Sequence, residues 1–147
     1  MANAVFKSTT MLTDGMRVEC KARNHTFLLD EPKELGGTDT GMNPVEAVLC
    51  ALGACKCIVA RCFAKAHRVE LQDFRIEVEG DLEPDGFMGK NKDVKIGFSE
   101  IRSKIYIKSN SPKENIEKFV EFIDRTCPVA DTLSNSPKLI TEVNIEK

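Results

Sequence analysis

The amino-acid sequence predicts an α+β fold, two antiparallel sheets around one long, buried central helix, within a single domain over residues 1–147. Three observations predict it. Short β-favourable runs broken by turns fill the first thirty residues, and alternating apolar and polar positions return from Asp73 onward. Between them, the stretch from Val45 to Ala60 carries only two charged residues, Glu46 and Lys56, so apolar or small side chains surround the helix it forms. Late in the chain, Ile116, Phe119, Val120 and Ile123 recur at helical spacing on an otherwise charged segment.

Taken in order, "AVFKSTTML", "MRVECKA" and "TFLLD", separated by the turn-prone "TDG" and "RNH", form a meander of about three strands. The Gly- and Thr-rich "EPKELGGTDTGM" has no period and is a loop leading to the helix. Asn43 is its cap, and Pro44 occupies the first turn, where a missing N–H costs nothing. "DFRIEVEGDL" and "KDVKIGFSEIRSKIYIKS" are expected to give two or three antiparallel strands around the loop "EPDGFMGKNK". Ser111 and Pro112 start an amphipathic surface helix. Pro128 begins a further helical turn in "CPVADTL", and "KLITEVNIE" closes the chain as a strand. The apolar girth of the central helix needs more cover than one small sheet gives, so a homodimer is expected.

Composition narrows the function. With 41% apolar and 30% charged residues and a net charge of -2, the chain has the balance of an ordinary soluble protein and no reservoir of positive charge for a phosphate backbone. Nucleic acid is therefore not an expected partner. The start "MANAVFKSTT" lacks the basic segment and unbroken apolar core of a secretory signal, and the longest uncharged stretch of the cysteine-rich helix, Ala47 to Cys55, is far below spanning length. A cytoplasmic location without membrane partners is expected. Thiols there are usually free, and a disulfide that forms is usually transient.

Four of six cysteines, Cys50, Cys55, Cys57 and Cys62, lie on the central helix. At about 100° and 1.5 Å per residue, Cys50 and Cys57 share one stripe and Cys55 and Cys62 another, with about 10 Å between the members of each. A disulfide needs Cα atoms within about 7 Å and converging Cβ vectors, so no two of these can bridge while the helix persists. A partner for a helix thiol must be Cys127 or Cys20. Cys127 directly precedes Pro128 and so sits at a helix N-cap, where unpaired N–H groups and the dipole favour a thiolate. Cys20 and Cys62 read as apolar filling, and Cys50 and Cys57 as core or spectators. "CKC" in mid-helix diverges too far for a zinc knuckle, and His25 and His67 stand alone, so neither metal nor cofactor is expected.

The segments "PKELGG", "NPVEAVLCALGAC" and "RTCPVADTL" resemble the OsmC/Ohr family, in order along essentially the whole chain. The resemblance implies an intertwined homodimer and a thiol peroxidase that reduces organic hydroperoxides. It implies Cys55 as the peroxidatic thiol, oxidised to a sulfenic acid, and Cys127 as the resolving thiol. Glu46 answers the family's acidic residue one place late, which puts it opposite Cys55 and over Cys50 on an ideal helix. Arg17, in "TDGMR", is the closest substitute for the family's hairpin arginine. The apolar run "AVLCALGA" suggests a greasy substrate, with Gly53 and Ala54 leaving room beside Cys55, and the resemblance suggests a dithiol reductant such as a lipoylated protein. Two other readings share these residues: binding of an apolar small molecule without turnover, and redox sensing.

Overall fold

The computed structural model describes residues 2–147 and divides into two compact units, one up to Cys50 and one from Ala51 to Lys147. The first unit holds the expected three-stranded meander. Strands β1 (Thr9–Leu12), β2 (Val18–Ala22) and β3 (His25–Leu29) pair antiparallel in sequence order, with Cys20 opposite Thr10 and Phe27. Arg23 takes a positive φ of 55° in the two-residue turn that joins Ala22 to His25, the geometry that matches the twist of a tight hairpin.

The loop after β3 is organised by one buried carboxylate. Asp30 is 1% exposed, and its oxygens accept the Glu31 N–H at 2.8 Å, the Thr38 hydroxyl and N–H at 2.5 and 3.1 Å, and the Thr40 hydroxyl and N–H at 2.9 and 3.1 Å. Gly37 lets this loop close, because a Cβ there would lie 1.9 Å from the Glu31 carbonyl oxygen. The Thr38 hydroxyl is the foremost of the donors that hold the Asp30 carboxyl well below the usual carboxylate range; burial opposes them, and the Glu31 and Thr40 groups add to them. A carboxyl whose pKa is depressed by folding stabilises the native state above its unfolded pKa of about 3.9 and loses that contribution as pH falls toward the folded value. Asp30→Asn should therefore lower the melting temperature at pH 7 and flatten its decline between about pH 4 and pH 2 relative to wild type. Parallel pH–stability curves for the two proteins would remove Asp30 from the acid response.

Helix α1 (Pro44–Phe63) starts as expected, in a reciprocal capping box: Asn43 Oδ1 accepts the Glu46 N–H at 2.9 Å and Glu46 Oε2 accepts the Asn43 N–H at 2.8 Å. The expectation of a helix buried all round is corrected. Leu52, Lys56, Val59 and Ala60 are buried along one stripe, whereas Val45, Val48 and Ile58 are exposed, Ile58 by 64%. Apolar girth measures what a helix could bury, and a single chain covers one side of it.

In the second unit, β4 (Asp73–Asp81) pairs antiparallel with β5 (Glu100–Lys108), placing Phe74 opposite Ile107 and Ile76 opposite Ile105. Only two strands form: Lys92 to Ser99 has no regular structure, and the intervening loop contains a one-turn helix α2 (Pro84–Phe87). Helix α3 (Lys113–Thr126) buries Phe119 and Ile123 from its apolar stripe, and these pack with Val59, Ala60, Ala64 and Val69 as the core, flanked by Leu71, Phe74, Ile107 and Phe122. Ser111 does not cap α3; its hydroxyl accepts the Glu70 N–H at 2.8 Å. Helix α4 (Pro128–Ser134) follows at once.

The expected closing strand is absent. Residues 136–147 have no regular structure, with Leu139, Ile140, Val143 and Ile145 all exposed. A strand exists only by pairing, and its alternating pattern records a preference that this segment does not realise within one chain. No helix among the described residues is long and apolar enough to cross a membrane.

Candidate functional site

The second unit brings Cys55 and Cys127 together. Cys55 is half-buried on α1, while Cys127 is 1% exposed and serves as both the C-cap of α3 and the N-cap of α4. The Pro128 restart turns the chain so that Cys127 Sγ accepts the Ala130 N–H at 3.4 Å, as an N-cap side chain should. The Cys55 thiol lies close enough to Cys127 to push its thiol up. All six cysteines are free thiols.

The expectation that the helix cap favours a thiolate at Cys127 is overturned. Burial pushes the Cys127 thiol up, the adjacent Cys55 thiol pushes it further, and the Ala130 and Val129 N–H groups only partly offset them. Dry surroundings outweigh a single helix end.

The remaining cysteines separate from this pair. Cys20 is buried in β2, as filling should be. Cys62 is exposed, against the filler reading, because it falls on the uncovered side of α1; Cys50 is exposed as well. Cys57 is half-buried, and burial raises its thiol. Among the described residues no cluster of His, Cys, Asp or Glu could hold a metal ion.

Glu46 and Arg17 lie in the first unit. The Glu46 carboxylate is held in the capping box with Asn43. Arg17, in the β1–β2 hairpin, faces Asp14 at 3.8 Å, and its N–H and carbonyl close the turn with Asp14 and Thr13.

Sequence reasoning missed Lys56. The residue is 7% exposed, and its Nζ lies 2.9 Å from Asp124 Oδ1 and donates to Ser103 Oγ at 3.3 Å. It directly follows Cys55, and Asp124 stands three residues before Cys127. The available signal was its isolation as the basic residue in the apolar run from Val45 to Ala60. Lys56, Leu52, Phe98, Ser103, Ala130 and Leu133 line a cavity of about 330 Å³, which also meets Lys95, Ser99 and Glu100. Ala130 links it to the thiols through its bond to Cys127. The lining is mixed, and of the run "AVLCALGA" only Leu52 reaches it.

Residues 37–142 match the family described as OsmC-like protein. Over 141 residues the chain is 26% identical to a hydroperoxide reductase of Mycoplasma genitalium, across 95% of this chain and 94% of that protein. Its fold is similar to the crystal structure of an OsmC-like protein from Mycoplasma pneumoniae, with a TM-score of 0.81 at 24% identity over 92% of this chain and 91% of that one. An organic hydroperoxide resistance protein OsmC from Legionella pneumophila is similar with a TM-score of 0.64 at 18% identity, over 92% and 93% of the two chains.

Proposed function

The chain belongs to the OsmC-like protein family, and from that premise we propose that it is a thiol peroxidase reducing organic hydroperoxides to alcohols. What supports this reading is that the α1 turn bearing Cys55 meets the end of α3 that leads into Cys127, through the Lys56–Asp124 ion pair at 2.9 Å, with the Cys55 thiol near enough to push the Cys127 thiol up; a peroxidatic and a resolving thiol need such an approach from separate elements. The hydroperoxide reductase of Mycoplasma genitalium, similar over nearly the whole chain, supports the choice of substrate.

In the first step the Cys55 thiolate attacks the distal oxygen of the hydroperoxide. An S–O bond forms, the O–O bond breaks, and the alkoxide leaves with a proton as the alcohol. Cys127 then attacks the sulfenic sulfur. The S–S bond forms as the S–O bond breaks, and water carries off the oxygen. A dithiol reductant returns both thiols and is itself oxidised to a disulfide. Half-burial suits Cys55 to meeting substrate, whereas Cys127 is buried and its thiol is pushed up, which suits it less to the first attack. A homodimer covers Val48, Ile58 and the apolar residues of the C-terminal segment.

The test follows thiols and peroxide in reduced protein. With cumene hydroperoxide, two thiols per chain should be lost as peroxide disappears, faster than with hydrogen peroxide. No thiol loss, together with retained binding of a fatty acid, would replace catalysis by carriage.

A further inference from the structure

A buried ammonium ties together the elements that bear the two thiols. Lys56 Nζ sits on α1 immediately after Cys55, reaches Asp124 in the last turn of α3 at 2.9 Å, and donates to Ser103 Oγ on β5 at 3.3 Å. Three elements thus meet at one charge. The ion pair is asymmetric: the lysine side chain is 9% exposed and the aspartate side chain 55%.

Stability alone does not account for this lysine. Taking an ammonium out of water is costly, and well-packed apolar residues of similar volume usually serve a fold as well as a buried ion pair does or better. The same stripe of α1 is filled by Leu52, Val59 and Ala60, and the neighbouring positions of the β5 row are Ile101, Ile105 and Ile107. What an ion pair adds is direction. A charge pair names one turn of α3 as the partner of one turn of α1, in addition to the registry that core packing sets. Here the specified turns are those of Cys55 and Cys127.

We propose that Lys56, through Asp124 and Ser103, is a positioning residue that holds Cys55 and Cys127 in bridging register. The proposal rests on the reading of these thiols as a redox pair. A disulfide tolerates only a narrow range of Cα separation and Cβ direction, so a register error of one residue prevents closure. The clamp acts on the second chemical step, in which Cys127 displaces the sulfenic oxygen of Cys55. A loosened pair leaves the sulfenic acid standing, and further hydroperoxide carries it to sulfinic acid.

The experiment equilibrates the full chain with reduced and oxidised dithiothreitol and reads the Cys55–Cys127 bridge by peptide mapping, in wild type, Lys56→Met, Asp124→Asn and the double variant. Lys56→Met should make the bridge roughly tenfold easier to reduce. Under excess cumene hydroperoxide it should also divert Cys55 from disulfide to sulfinic acid. The double variant should be no worse than the weaker single one, because both remove one contact. Circular dichroism and the melting temperature report folding separately, and Asp124→Asn carries the test should the methionine variant not fold. A bridge equilibrium and sulfinic fraction equal to wild type in the folded variants overturn the clamp. Failure of diamide to join Cys55 to Cys127 in wild type overturns the redox pair and the clamp with it.

Discussion

Cys55→Ser should reduce the consumption of cumene hydroperoxide by at least about a thousandfold, because it removes the nucleophile and nothing nearby replaces it. Serine's hydroxyl is a much poorer nucleophile than a thiolate toward peroxide oxygen. Cys127 is near position 55, but it is buried and burial pushes its thiol up, which makes it a poor replacement nucleophile. Cys127→Ser should behave differently. The first oxidation should survive, and Cys55 should climb to sulfinic acid under excess peroxide, readable by mass spectrometry of the Cys55 peptide. Cys50→Ser is the control, since Cys50 is exposed on another side of α1. Loss of activity in Cys50→Ser with retention in Cys55→Ser would move the chemistry to the wrong thiol for this proposal.

Phe119→Ala should cost about 3–5 kcal/mol of stability, measured by denaturant unfolding. Phe119 is fully buried, its ring lies 5.4 Å from that of His67, and it packs in one core with Val59, Ala60 and Ile123. Deleting the ring removes contacts on every side, and the surrounding α1 and α3 cannot close the gap without shifting. Helix α3 also carries Asp124 and leads into Cys127, so slack in this core reaches the thiols. A loss below about 1 kcal/mol would mean that the site collapses freely and that the core does not hold α3 in place.

Much of this fold was legible because its signals are local. Asn43 and Pro44 announce α1 through capping chemistry that needs only neighbouring residues. The β1–β2–β3 meander follows from short alternating runs around "TDG" and "RNH", and α3 from the spacing of Phe119 and Ile123. The exclusion of bridges within α1 is helix geometry, and it left Cys127 or Cys20 as partner; family resemblance made the choice.

The rest depends on company that a linear pattern does not contain. Residues 138–146 alternate like a strand but find no edge to pair with in one chain. The acidity expected of Cys127 from its cap is a local inference, overruled by the burial of the thiol in the folded chain. Lys56 reads as an interruption in an apolar run until Asp124 and Ser103, far away in sequence, are seen around it. Glu46 reads equally well as cap or as catalytic acid, since one carboxylate three residues after Asn43 satisfies both descriptions.

The uncovered apolar residues of α1 and of the C-terminal segment bear on what a stability measurement means for this protein. In the proposed homodimer, folding and association are one equilibrium, and the unfolded state is favoured by dilution. Each tenfold dilution then lowers the free energy of unfolding by about 1.4 kcal/mol of dimer, as much as many single substitutions change it. Free energies of variants of this chain therefore compare only at matched protein concentration.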